Sequence, residues 1–193
     1  MKQLEQTILA AVIRKRPVES HKGTFGRAVV IGGNQQYGGA ILMAAQASVY
    51  GGTGLTTVIS DPVNRTALHA RLPEAMFVSW DQTELISTVT ESADVLLIGP
   101  GMGEGKTSFN LLQTVVAAQK SHQWLVVDGS AINLAAKYPL TFPYPSHVVF
   151  TPHQMEWQRL SGIKISEQTP EKNAAFQKKL ASIVVLKSHR TQI

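Results

Sequence analysis

One stretch decides the fold of this chain: RAVVIGGNQQYGGA, residues 27–40. Its first part, Ala28–Ile31, is continuously apolar, which is typical of a strand buried on both faces of a parallel sheet. A glycine-rich turn follows, and it leads into a helix-like apolar run over Ala40–Tyr50. A strand, a glycine turn and a helix in this order form the first part of a strand–helix–strand unit.

The same alternation recurs along the whole chain. The pattern predicts strands at Arg27–Ile31, Leu55–Ser60, Ala75–Trp80, Asp94–Ile98, Trp124–Asp128, His147–Phe150 and Ile183–Lys187. It predicts helices at Ala40–Tyr50, Pro62–Leu72, Thr83–Glu91, Lys106–Lys120, Ala131–Lys137, His153–Ser161 and Pro170–Ala181, and an amphipathic helix at Lys2–Arg16. This alternation predicts a doubly wound α/β fold with a mostly parallel sheet and helices on both faces.

Composition excludes several classes of protein. A chain of 193 residues fits one domain, and 44% hydrophobic against 16% charged residues excludes a disordered chain. The absence of cysteine excludes disulfides and thiolate metal sites. The net charge of +5 is concentrated at the two ends and not in one patch, so we expect no nucleic-acid partner. No apolar run reaches the ~18 residues of a membrane span, so we expect no membrane partner and a cytoplasmic location.

Two glycine-rich turns follow predicted strands, at the edge of the sheet where doubly wound folds bind their ligands. The turns are Gly32–Asn34 and Gly99–Gly103. Glycine allows a backbone to approach a phosphate closely, although a tight structural turn is the alternative explanation. Neither turn matches a P-loop or a dinucleotide fingerprint, because Pro100 stands where a P-loop needs glycine and GxGxxG is absent after the first strand.

Asp128 is a candidate site residue because it directly follows a buried apolar strand. A carboxylate there is desolvated unless a cation, a donor or water meets it. We interpret it as a substrate-binding or metal-binding group. The alternative is that Asp128 caps the next helix, for which Ser130 is better placed.

The segment after the following strand, TPHQ at residues 151–154, has a partly structural explanation. Thr151 would cap a helix and Gln154 would complete a capping box. His153 is then left over, at a positive helix end that disfavours its protonation, so a neutral imidazole could hydrogen-bond a ligand.

Two further charged residues leave alternatives open. Glu156 is either a solvent-exposed residue or a first-turn partner of the helix dipole. Lys187, at the end of the last predicted strand, could meet a phosphate or could extend its amine into solvent.

Taken in order, segments across residues 21–191 resemble those of the ADP/ATP-dependent NAD(P)H-hydrate dehydratase family. The segments are HKGxxG at 21–26, VIGG at 30–33 with Tyr37-x-Gly39-Ala40, GPGMG at 99–103, Val127-Asp128-x-x-Ala131-x-Asn133, Thr151-Pro152-His153-x-x-Glu156-x-x-Arg159-Leu160, and Val185-Leu186-Lys187 with Thr191. Each match alone is weak, and their order along nearly the whole chain makes them specific together.

The resemblance implies a ribokinase-like fold and a lyase that repairs NADHX and NADPHX, the hydrated forms of reduced nicotinamide cofactors. Such enzymes are thought to phosphorylate the hydrate from ADP or ATP, with Mg²⁺, and then to eliminate phosphate. By position, the resemblance assigns the hydrate to Ala40, Gly103, Asp128 and His153. It assigns the adenine nucleotide to Lys187, Ser188, His189, Arg190 and Thr191, and it implies no metal held by the protein alone.

Three departures from the family pattern bear on the chemistry. Gly129-Ser130 replaces the family's Ala-Asp, which removes a second carboxylate, and Ser188 replaces a glycine. The family's GGTGD segment, whose Asp activates the hydroxyl, is absent, and Gly51–Gly54 does not replace it because Leu55 follows. We therefore assign no catalytic residue. We expect residues 1–193 to be a single ribokinase-like domain without its C-terminal part.

Two alternative functions remain. One is a ribokinase-like small-molecule kinase that retains its phosphorylated product, and the other is a non-catalytic nucleotide-binding remnant. We further expect a homo-oligomer, with a tetramer as the candidate state. The sequence leaves open whether ADP or ATP is preferred.

Overall fold

A computed structural model describes residues 5–13 and 15–193, and in this part of the chain seven strands form one sheet. The strands are β1 (Arg27–Ile31), β2 (Leu55–Ser60), β3 (Met76–Ser79), β4 (Val95–Ile98), β5 (Trp124–Val127), β6 (Val148–Phe150) and β7 (Ile183–Val184). The α-helices are α1 (Ile8–Val12), α2 (Gly38–Tyr50), α3 (Arg65–Arg71), α4 (Thr83–Glu91), α5 (Lys106–Ala118), α6 (Ser130–Lys137), α7 (Gln154–Ser161) and α8 (Pro170–Leu180).

The strand order is β3-β2-β1-β4-β5-β6-β7, with neighbouring strands parallel. The chain first builds outward from β1 to β3 and then returns to lay β4 on the other side of β1. This reversal creates a topological switch point between β1 and β4, where ligands of doubly wound folds bind. The predicted fold class is confirmed.

The core lies on both faces of the sheet because successive strand residues point to opposite sides. On one face, Ile98 and Phe150 pack with Leu112 of α5 and Trp157 of α7. On the other face, β1 and β2 pack against α2 and α3. This two-sided cover accounts for the apolar run of β1, whereas β4 and β5 are fully covered on one face only, with Val95 and Trp124 exposed on the other.

The amino-terminal region differs from its predicted helix. Within residues 5–13 only Ile8–Val12 is helical, and none of its residues is buried. Residues 2–4 and 14 lie outside the described residues. Arg16 is not helical; its guanidinium donates to the Gly52 carbonyl at 2.8 Å and lies 4.1 Å from the centre of the Phe25 ring.

The last predicted strand is also shorter than expected. β7 ends at Val184, and Leu186 then pairs in antiparallel fashion with Gln192. None of the helices among residues 5–13 and 15–193 is long and apolar enough to cross a membrane.

Candidate functional site

The two glycine turns meet at the switch point through two backbone hydrogen bonds. The N–H of Gly33 donates to the Pro100 carbonyl at 2.9 Å, and the N–H of Asn34 donates to the Gly101 carbonyl at 2.7 Å. Gly101 has a φ of 62°, and a Cβ at this position would clash with the Tyr37 carbonyl oxygen. The structural explanation of this glycine is therefore sufficient, since a side chain there would collide with the start of helix α2 at Tyr37 and Ala40.

Helix α2 begins directly beside these turns. The Oδ1 atom of Asn34 accepts hydrogen bonds from the N–H groups of Gln36 and Tyr37, which shapes the entry into the helix. Ala40 faces the second turn, since its Cβ lies 2.9 Å from where a Gly101 side chain would begin. Gly39 is exposed, with no atom within 4 Å of a built Cβ.

Gly103 connects the second turn to α6. Its N–H donates to Ser130 Oγ at 3.1 Å, and a Cβ on Gly103 would lie 2.8 Å from Asn34 Nδ2. Ser130 is the first residue of α6. The cap of this helix is Gly129 and not Ser130. Gly103 lies where we expected a ligand contact, but its N–H is already engaged by a side chain.

Asp128 meets both a cation and a hydroxyl at the end of β5. Lys187 Nζ lies 2.8 Å from its Oδ1 atom, and Thr151 Oγ1 donates to the same oxygen at 2.6 Å. The Asp128 side chain is 28% exposed and the Lys187 side chain is 46% exposed. The capping role predicted for Thr151 is wrong, because its hydroxyl serves the carboxylate of Asp128 instead.

Helix α7 is capped by His153. The Nδ1 atom of His153 accepts hydrogen bonds from the N–H groups of Met155 and Glu156, and its own N–H donates to Glu156 Oε2 at 2.8 Å. This reciprocal pair is a capping box, shifted by two residues from the predicted one. Glu156 is buried and is therefore the first-turn partner, not a solvent-exposed residue.

The same geometry determines the tautomer of His153. Because Nδ1 accepts hydrogen bonds, a neutral imidazole carries its proton on Nε2. That atom lies 3.5 Å from Glu156 Oε1, and the side chain is 54% exposed. The ring can therefore donate one hydrogen bond to a ligand at the sheet edge.

Residues 187–191 form an exposed loop at the same edge. Leu186 and Gln192 close the loop with two backbone hydrogen bonds of 2.9 and 3.1 Å, and the N–H of Lys187 donates to the Pro152 carbonyl at 2.8 Å. Inside the loop, Ser188 Oγ accepts from the N–H of Arg190 at 3.0 Å. The loop thus lies next to His153, because the loop follows β7, His153 follows β6, and these two strands are neighbours in the sheet.

The sequence that forms this arrangement matches the family model of NAD(P)H-hydrate dehydratases over residues 28–193. The chain belongs to the NAD(P)H-hydrate dehydratase family. A relative from Enterococcus faecalis, named ADP-dependent (S)-NAD(P)H-hydrate dehydratase, is 53% identical over 193 residues, which is 100% of this chain and 66% of the relative. A relative of the same name from Lactiplantibacillus plantarum is 49% identical, over 100% of this chain and 69% of the relative. The chain thus spans about two thirds of the length of these curated relatives.

Solved structures agree with the family assignment. A ribokinase-like superfamily protein from Enterococcus faecalis superposes with a TM-score of 0.96 at 53% identity, over 97% of this chain and 66% of that chain. A hypothetical protein from Streptococcus mutans gives a TM-score of 0.93 at 43% identity, over 97% of this chain and 68% of that chain. A Bacillus subtilis ADP/ATP-dependent NAD(P)H-hydrate dehydratase, co-crystallised with ATP/Mg²⁺, shares the fold with a TM-score of 0.82 at 24% identity, over 97% of this chain and 66% of that chain. The ribokinase-like fold is confirmed.

Two residues of the dehydratase motifs, Asn133 and Arg159, are hydrogen-bonded to each other. Asn133 of α6 donates to Glu104 Oε1 at 2.8 Å and accepts from Arg159 of α7 at 2.9 Å. These bonds connect the second glycine turn to two helices. The described residues include no cluster of three or more His, Asp or Glu side chains that could hold a metal ion.

Two residues that shape the first glycine turn, Ser60 and Asn64, were not predicted from the sequence. Both are buried, and both donate hydrogen bonds to the carbonyl oxygen of Gly33 at 2.9 Å. The available signal was the three polar residues of the segment SDPVN at residues 60–64, which follows the apolar part of β2 at the same edge of the sheet.

Proposed function

We propose that this chain provides the hydrate-binding and nucleotide-binding edge of a dehydratase that returns NADHX and NADPHX to NADH and NADPH, at the expense of ADP or ATP. The observation that carries the proposal is the Asp128 cluster. One carboxylate joins Thr151 and Lys187, which belong to separate motifs of the family and are 36 residues apart.

The proposed ligand contacts follow the order of the strands. The hydrate would lie over residues that follow β1, β4, β5 and β6 in the chain, which are Ala40, Gly103, Asp128 and His153. The adenine nucleotide would contact the exposed loop Lys187, Ser188, His189, Arg190 and Thr191. His153 would donate from Nε2 to the hydrate and would not accept a proton, because its other nitrogen is occupied by the helix.

The proposed reaction has two balanced steps. First, the hydroxyl oxygen of the hydrate bonds to the terminal phosphorus of the nucleotide, the bond from that phosphorus to the departing nucleotide breaks, and the hydroxyl proton leaves. Then the bond between carbon and the phosphorylated oxygen breaks, a neighbouring ring proton is lost, and reduced nicotinamide and phosphate form. Phosphate is a better leaving group than hydroxide, so the chain's task is to position the reactants and neutralise charge.

Lys187 would neutralise phosphate charge, and Asp128 would hold the Lys187 amine in place. The Lys187 amine is half exposed and can turn towards a phosphate, while Asp128 and Thr151 hold it near the edge. No base for the hydroxyl proton is assigned within residues 1–193, because the family resemblance places it in a GGTGD segment that this sequence does not contain.

Mg²⁺ would be bound mainly by the nucleotide. Mg²⁺ commonly takes one or two carboxylates plus substrate phosphates and keeps several waters. Asp128 is a carboxylate at the right edge, although its Oδ1 atom is shared by Lys187 and Thr151. The ion would neutralise phosphate charge. We further propose a cytoplasmic homo-oligomer, with a tetramer as the state to test by light scattering.

The test uses a chimera. Residues 1–193 are joined to the part of the Enterococcus faecalis relative that lies outside its aligned region. NADHX or NADPHX is supplied with Mg²⁺ and ADP or ATP, and the absorbance of the reduced nicotinamide ring is followed, with the intact relative as the positive control. We expect turnover by the chimera and none by residues 1–193 alone.

Three results would change the proposal. An inert chimera beside an active relative would refute the dehydratase assignment. Nucleotide consumption with a retained phosphorylated product would identify a kinase. Turnover by residues 1–193 alone, at the rate of the relative, would show that the hydroxyl is activated by a residue of this chain.

A further inference from the structure

We propose that Asn64, assisted by Ser60, is a positioning residue that sets the affinity of the glycine-turn site. It acts by holding the peptide between Gly33 and Asn34 in the orientation that joins the two turns. This inference rests on the proposed function, since the affinity in question is that for the reduced nicotinamide cofactor.

Asn64 is buried, with 7% of its surface exposed, and it binds the inner side of the first turn. Its Nδ2 atom donates to the Gly33 carbonyl and to Ser60 Oγ, both at 2.9 Å. Ser60 Oγ in turn donates to the same Gly33 carbonyl at 2.9 Å. The N–H of Asp61 also donates to this carbonyl, at 3.2 Å. Donors from the end of β2 and the turn after it therefore converge on one carbonyl oxygen.

The other end of that peptide carries the contact between the turns. Its N–H belongs to Asn34 and donates to the Gly101 carbonyl. A peptide is planar, so fixing the direction of its carbonyl also fixes the direction of its N–H. Gly33 has a φ of 71° and no side chain that would restrict its backbone. The orientation of this peptide must therefore be fixed by its hydrogen-bond partners.

Asn64 also contacts the start of α2. A Cβ on Gly38 would clash with Asn64 Oδ1, which shows how closely the helix begins against this amide. Two residues further along α2 is Ala40, which faces the second turn at Gly101. One buried amide thus sets both the turn and the helix start, while its own atoms are too buried to contact a ligand.

The test compares Asn64→Ala with a matched control, Gln123→Ala. Gln123 is also buried and also donates hydrogen bonds through its side-chain amide, to the carbonyls of Thr90, Glu91 and Ala93, but it lies at the opposite end of the sheet, before β5. Each variant of the 193-residue chain is titrated with NADPH by calorimetry, its Tm is measured, and amide hydrogen exchange is followed by NMR.

We expect both variants to lose thermal stability, because each removes buried hydrogen bonds. Asn64→Ala should also weaken NADPH binding by about tenfold, equivalent to about 1.4 kcal/mol. It should accelerate exchange of the Asn34 amide. Gln123→Ala should leave the NADPH affinity and the exchange of the Asn34 amide as in the parent. If Asn64 had only a structural role, the two variants would not differ in these readouts.

The alternative outcomes are separable. Parent-like NADPH affinity and a protected Asn34 amide in Asn64→Ala would overturn the inference. If the parent itself binds no NADPH, the proposed function fails, and Asn34 exchange alone then decides whether Asn64 orients the turn. If Asn64→Ala does not fold, Ser60→Ala takes its place, because it removes one donor and should shift both readouts in the same direction by less.

Discussion

Replacing Gly39 by alanine should make the protein more stable and its site weaker. Gly39 is the second residue of α2, no left-handed φ requires a glycine there, and a built Cβ meets no atom within 4 Å. Alanine is more favourable than glycine inside a helix by about 0.5–1 kcal/mol. In a domain of this size, 1 kcal/mol shifts Tm by about 2–4 °C, so we expect Gly39→Ala to melt about 1–4 °C higher.

Gly39 precedes Ala40, over which we place the hydrate, so a methyl group added in the open space at Gly39 should hinder the ligand. We expect at least about tenfold weaker NADPH binding by calorimetry, a loss of about 1.4 kcal/mol. Gly101→Ala is the contrasting variant. It should lower Tm, since its Cβ would clash with the Tyr37 carbonyl oxygen. A lower Tm for Gly39→Ala, or a higher Tm with unchanged affinity, would refute the reasoning.

Three further predictions concern helix ends. In the chimera, His153→Ala should raise KM for the hydrate more than it lowers kcat, and a loss confined to kcat would assign His153 to the chemistry. Ala181→Gly should raise stability in denaturant unfolding by up to about 1 kcal/mol, because Ala181 caps α8 with a φ of 53°; an unchanged midpoint would contradict this. Hydrogen bonds from its own backbone N–H and from Thr169 hold the pKa of Glu171 below its ordinary value of 4.5. Its stabilisation is therefore present at neutral pH and lost as pH falls through the folded-state pKa, so Glu171→Gln should lower Tm at neutral pH and not in acid.

The sheet was predictable because its strands are short, continuously apolar runs. Val29–Ile31, for example, is buried on both faces, as the apolar pattern predicts, and each predicted strand is present. The errors are at the ends of elements. The loop after Val184 turns back to pair with Gln192, a contact that the alternation pattern does not encode.

The candidate site residues lie at the expected edge of the sheet, but the hydrogen bonds among them were not predictable. Thr151 and His153 both fit the start of a capping box, and the choice depends on Asp128, which attracts the Thr151 hydroxyl from another strand. Asn64 was missed because its hydrogen bond to Gly33 spans 31 residues of sequence. Local patterns describe local bonds, whereas these bonds arise from the order of the strands.

The paired backbone bonds between the two glycine turns determine the shape of the binding surface. In many doubly wound proteins the switch point opens as a cleft, and a ligand enters between the diverging turns. Here Gly33 and Asn34 are bonded to Pro100 and Gly101, so the space between the turns is closed. A cofactor bound as we propose would therefore lie on the outer surface of the two turns, with one side facing away from the sheet. The proposed phosphoryl transfer would then need a cover over that side, because water that competes for the phosphoryl group would reach it from there.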